Sequence, residues 1–154
     1  MDMKKFLLCV MCFLASNCLY AQTANPKFKQ ALADSLGADE RGMKMYVMVI
    51  LKSGSNKTTD TTVRNYLFKG HMANINKMAS EGKLIVAGPF EKNDKAYRGI
   101  FILNVPTLEE ARKLIQSDPA VKAKIFDADL FQWYGSAALP MYIKYDEMVR
   151  KNSF

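Results

Sequence analysis

The stretch Gly70-His71-Met72-Ala73-Asn74-Ile75-Asn76-Lys77-Met78-Ala79-Ser80-Glu81-Gly82-Lys83-Leu84-Ile85-Val86-Ala87-Gly88-Pro89 holds the end of a helix and the strand that follows it. At 3.6 residues per turn, Val63, Leu67, Ile75 and Met78 fall on one stripe of that helix, and His71 lies in the middle of the stripe. Gly82 stops the helix, and Leu84 to Phe90 reads as a strand whose end is disturbed by Gly88-Pro89. The only histidine of the chain therefore faces inward.

Toward the N-terminus, Asp60-Thr61-Thr62 supplies caps for the helix. Before it, Met45 to Leu51 is rich in β-branched and aromatic residues and ends at Ser53-Gly54-Ser55-Asn56, which predicts a central strand and a loop. Toward the C-terminus, the turn Asn93-Asp94-Lys95 leads into a third strand from Arg98 to Val105, forming a hairpin with the second. Thr107 and Glu110 form a capping box ahead of a second helix, whose apolar face is Leu108, Ala111, Leu114 and Ile115. That helix ends before Asp118-Pro119, because the residue preceding a proline is pushed out of the α region. A short turn from Ala120 to Lys124 leads to a last strand, Ile125 to Tyr134. The order is βαββαβ, an α+β ferredoxin-like domain with both helices on one face of an antiparallel sheet. The uncovered face predicts pairing with a second copy, a homodimer.

This domain is expected over residues 44–135, with three further segments around it. Residues 1–21 read as a secretory signal peptide: Lys4 and Lys5, an apolar run from Phe6 to Ala15, and the small residue Ala21 at the cut. The chain is thus expected to be exported, periplasmic or secreted. Cys18 offers an alternative as the lipidated residue of a lipoprotein, but Ala15-Ser16-Asn17 is a poor lipobox. Residues 22–43 form an N-terminal helical extension, with an amphipathic helix from Pro26 to Leu36 that stops at Gly37. In the tail, residues 136–154, Met141, Tyr142, Tyr145 and Met148 suggest a further packed helix.

Cys9, Cys12 and Cys18 all lie in the leader, so the chain from Gln22 onward has no disulfide and no thiolate nucleophile or metal ligand. Loss of the leader removes two lysines and one aspartate, lowering the formal charge from +7 to +6. The lysines, among them Lys27, Lys57, Lys92 and Lys144, are scattered rather than clustered, which together with export argues against a nucleic-acid partner. The run from Met45 to Leu51 is too short for a membrane span.

An inward imidazole beside a pocket can accept and return a proton near neutral pH. It can equally be a buried neutral ring bonded to a backbone carbonyl. Asp118 has two readings as well, since it can cap the short turn after it, with Pro119 at the first helical position.

The pieces Gly70-His71, Gly82-Lys83-Leu84, Ala87-Gly88-Pro89, Gly99-Ile100-Phe101, Thr107-Leu108-Glu109-Glu110-Ala111 and Ser117-Asp118-Pro119, in that order, resemble the YCII (YciI-like) family of dimeric α/β-barrel proteins. The resemblance covers Met45 to about Trp133. It implies a ferredoxin-like fold, a dimer whose sheets form a barrel, and a cleft with a His–Asp dyad; the histidine carries over to His71 and the aspartate to Asp118. The export signal, the segment before the first strand and the tail depart from the family pattern, and either extra segment could cover or narrow the cleft.

In such a dyad the carboxylate fixes the tautomer of the ring, leaving the other nitrogen to move a substrate proton. No serine or cysteine completes a nucleophilic triad, and one histidine without cysteines argues against catalytic zinc. No metal or cofactor is therefore called for; a haem would have His71 as its one histidine ligand. Gly88 and Pro89 shape the floor of the cleft, and Tyr97, Arg98, Trp133 and Tyr134 are the further residues able to line it, with Arg98 able to bind a carboxylate. As strand-end aromatics and a surface arginine these last four need no such role. The expected ligand is a small molecule. Two function classes follow: an exported lyase- or isomerase-type enzyme moving a proton with His71 and Asp118, or a non-catalytic module binding a small ligand or partner in the same cleft.

Overall fold

Side chains alternate along the strand β1 (Met43–Ser53), which buries Val47, Val49 and Leu51 on one face of the sheet. The structure, a computed structural model, describes residues 25–151. The expected leader, its three cysteines and its cleavage site lie outside these residues. The chain divides into two units, residues 1–30 and 31–154. In the first, Asn25 nucleates a turn, its Oδ1 accepting from the Lys27 N–H and its carbonyl from the Phe28 N–H, each at 3.0 Å.

The second unit begins at Ala31, inside the helix α1 (Gln30–Leu36), which is shorter than the sequence suggests because the turn at Asn25 occupies its expected first residues. None of its residues is buried, so its apolar positions form no core contact. Gly37 then ends the helix at φ +67°, a conformation open to glycine at little cost.

After β1 come the helix α2 (Thr61–Ser80), the strands β2 (Leu84–Pro89) and β3 (Tyr97–Leu103), the helices α3 (Leu108–Gln116) and α4 (Pro119–Lys122), and the strand β4 (Phe126–Ser136). The sheet order is β2-β3-β1-β4 with every neighbouring pair antiparallel, the arrangement of a ferredoxin-like fold. Asp60 caps α2, its Oδ1 accepting from the N–H groups of Thr62 and Val63. Thr107 caps α3, its Oγ1 accepting from the Glu110 N–H at 3.2 Å.

One face of the sheet carries the core. Val47, Val49, Leu51, Phe101 and Leu103 meet Met78 from α2 and Ala111 and Ile115 from α3. Leu67, Ala120 and Phe126 make a smaller cluster where α2, α4 and β4 meet. Val63, placed by periodicity on the inner stripe of α2, is 42% exposed because it stands in the first turn, short of this cluster. The other face presents Met48, Ile50, Ile100, Ile102 and Val86, half-buried, with Phe131 exposed. Among the described residues no helix is long and apolar enough to cross a membrane.

The tail begins with Ala137, buried, and continues through a 3₁₀ turn (Leu139–Tyr142) into the helix α5 (Ile143–Val149). Tyr142 bonds the Ile85 carbonyl through its hydroxyl, so the segment leaving β4 reaches the strand at the opposite edge of the sheet. The expectation of a packed final helix is not met: Tyr145, Met148 and Val149 are all exposed.

Candidate functional site

Gly70 sets the geometry of the site. A Cβ there would stand 2.8 Å from Cγ of Pro119, so a glycine is what lets α2 approach the start of α4 this closely. The next residue, His71, consequently meets Asp118, the N-cap of α4: Nδ1 lies 2.7 Å from Asp118 Oδ2. Both side chains are buried, with Asp118 1% exposed.

The capping and dyad readings of Asp118 turn out to be compatible, because a carboxylate has two oxygens. Oδ1 accepts from the N–H of Ala120 at 2.8 Å and of Val121 at 3.4 Å. Oδ2 faces His71 and also accepts from Asn74 Nδ2 at 3.4 Å. Burial pushes the Asp118 carboxyl up, but the hydrogen bond and charge of His71, with the two backbone N–H groups, outweigh it and hold the carboxyl below the ordinary aspartate value. Asp118 is therefore ionised at neutral pH and can only accept, so His71 Nδ1 carries the proton of their bond.

That leaves Nε2. Among the described residues no fully buried side-chain nitrogen or oxygen lacks a partner, and Nε2 has no hydrogen-bond partner among them, so it opens onto free space. The space is a cavity of about 510 Å³ between α2 and the ends of β1, β2 and β3. Leu51, Phe68, Met72, Ile75, Phe101 and Phe126 give it carbon walls; its polar side chains are His71, Asn76 and Arg98. The His71 ring lies near-parallel to Phe101, at 6.1 Å and 29°, and is flanked by Phe126 at 5.1 Å and Phe68 at 6.5 Å. An imidazole packed among three rings and bonded through Nδ1 has a low-dielectric surround and a fixed direction for Nε2, the conditions for directional proton transfer.

Gly88, Pro89 and Arg98 line the cavity. Arg98 stands exposed at the rim, and its Nε donates to Ser53 Oγ at 2.5 Å. Tyr97 and Trp133 do not line it. Tyr97 packs on Phe90 at 6.2 Å, and Trp133 projects from the opposite face of the sheet, 5.7 Å from Tyr46. Tyr134 turns away as well, its hydroxyl bonded to Asp39. Among the described residues neither α1 nor the tail contributes a lining residue to this cavity. Asn74, Phe68 and Phe126 were not singled out by sequence; Asn74 sits one turn beyond His71 on the same stripe, and that spacing was the available signal. Among the described residues no group of three or more His, Cys, Asp or Glu side chains is placed to hold a metal ion.

A family model described as the YCII-related domain matches residues 45–133. Among solved structures, the chain is similar to 5-chloro-2-hydroxyhydroquinone dehydrochlorinase (TftG) from Burkholderia phenoliruptrix AC1100, in complex with 2,5-dihydroxybenzoquinone. The identity is 21%, the match covers 56% of this chain and 92% of that one, and the TM-score is 0.41. No curated protein matches the chain.

Proposed function

The chain belongs to the YCII-related family, and from that premise we propose that it is a small acid/base enzyme of the lyase or isomerase type, acting on a small organic molecule bound in the cavity. The observation that carries this reading is the 2.7 Å bond between His71 Nδ1 and an ionised Asp118, which leaves Nε2 as a base aimed into the cavity. Nε2 takes a proton from the substrate, Asp118 stabilises the imidazolium that results, and the ring returns the proton to another substrate atom or to a leaving group. Arg98 at the rim offers a cationic side chain suited to a carboxylate or other oxyanion. The carbon walls favour an otherwise apolar body.

The experiment is proton exchange in deuterated water across a panel of small cyclic and unsaturated acids, with the unsubstituted protein and His71→Gln compared. Exchange that falls about 100- to 10,000-fold in the variant is the expected result. Binding that persists in both proteins without exchange overturns the enzymatic reading in favour of a ligand-binding module.

The same proposal includes a homodimer and export. The half-buried apolar face of the sheet, with Phe131 exposed on it, supports pairing of two copies, and light scattering should return twice the chain mass. The basic and apolar composition of residues 1–21 supports a cleaved leader, and the intact mass of protein exported by a bacterial host should begin at Gln22. A lipid-bearing Cys18 would replace that with the lipoprotein reading.

A further inference from the structure

Asn74 is a buried polar side chain on a stripe that periodicity would fill with carbon, and the proton-transfer step makes no use of it. Its amide bridges two groups. Nδ2 points at Asp118 Oδ2 at 3.4 Å, and Oδ1 lies 2.9 Å from Ser117 Oγ. The direction of the amide follows from chemistry: an ionised carboxylate repels a carbonyl oxygen, so the NH₂ end must face Asp118 and the oxygen must face the Ser117 hydroxyl. Ser117 Oγ also lies 2.7 Å from the Leu114 carbonyl, so its single proton is shared between that carbonyl and Asn74 Oδ1.

Asp118 Oδ2 thus has two donors from α2, His71 and Asn74, three residues apart, while Oδ1 is held by the start of α4. With Asn74 removed, Oδ2 would keep the His71 bond alone while Oδ1 kept its two backbone donors, and the short bond to His71 would lose the second group that holds its acceptor in place. We propose that Asn74 is a positioning residue, its amide set by Ser117, that holds Asp118 Oδ2 in line with His71 Nδ1 and so keeps the ring proton on Nδ1. This rests on the dyad reading, and it is tested on the resting protein without turnover, so failure of either is seen separately.

The test reads both ring nitrogens of the single histidine by ¹⁵N–¹H correlation in labelled full-length protein above neutral pH, with exchange of the Nδ1 proton as a second readout. Asn74→Leu keeps the side-chain volume and removes the amide. In this variant the population protonated on Nδ1 should fall and exchange of that proton should speed up about three- to tenfold, the size expected for one lost hydrogen bond. Ser117→Ala, at an exposed position, should give a smaller change in the same direction, and it decides the matter if Asn74→Leu fails to fold. A residue that merely fills space would leave the tautomer and the exchange rate unmoved in Asn74→Leu and Ser117→Ala, and that result overturns the proposal.

Discussion

The helices α2 and α3 cover the same face of the sheet by different means. α3 buries Ala111 and Ile115 and carries its polar residues outward, with a capped start and acidic residues in its first turn, Glu109 and Glu110. α2 buries Leu67, His71, Asn74 and Met78, so half of its buried side chains are polar, and each is matched by a partner on the segment that leaves α3. A helix whose only task is to close a core has no reason to accept the desolvation of an imidazole and an amide. The contrast separates a structural helix from one that presents chemistry.

The sharpest way to break that division is Ile115→Ala. Truncating a residue 3% exposed in the main core should cost about 2–5 kcal/mol in denaturant unfolding while leaving the His71 ring signals of the folded protein in place. Altered ring signals would show that the two helices are not separable in this way. Gly70→Ala tests the other helix. Intrinsic propensity favours alanine by about 1 kcal/mol, yet the added Cβ meets Pro119 at 2.8 Å. A net loss of about 1–3 kcal/mol with a weakened His71–Asp118 bond is expected, and a gain in stability would mean that α2 and α4 separate freely.

Asp118→Asn sharpens the comparison through pH. The folded-state value of Asp118 lies below the unfolded one, so the folded chain binds fewer protons here. The stabilisation is therefore present above the unfolded value and lost as pH falls through the folded one. Urea unfolding should show the variant less stable by about 1–3 kcal/mol at pH 7, with the gap closing below about pH 4. A gap independent of pH would show that the charge of Asp118 contributes nothing to stability. Thr107→Ala, at the start of α3, should cost about 1 kcal/mol and leave proton exchange untouched, as measured by the same melts and assays.

Much of this was legible in the residues. The caps at Asp60 and Thr107, the stop before Asp118-Pro119 and the alternation in β1 are local signals, each fixed by neighbours within four positions, and they specify element order. The inward direction of His71 follows from helical period. Tyr97 and Trp133 went the other way: aromatics at strand ends look alike in sequence, and which face each one joins depends on pairing register with β1 and on the rings available to pack there. The tail misled for a related reason, since apolar residues at helical spacing say that a face could be covered and not what covers it.

The sequence by itself determined the order βαββαβ, the two helix starts and the isolation of one histidine on an inner stripe, because backbone propensity, capping and periodicity act over a few residues. Only the tertiary structure decided what Asp118 does. Its two oxygens serve different helices, and a carboxylate 47 positions from His71 reaches the ring because Gly70 lets α2 lie against Pro119. A division of labour within one side chain depends on which groups surround it in space, and distance along the chain carries no trace of that.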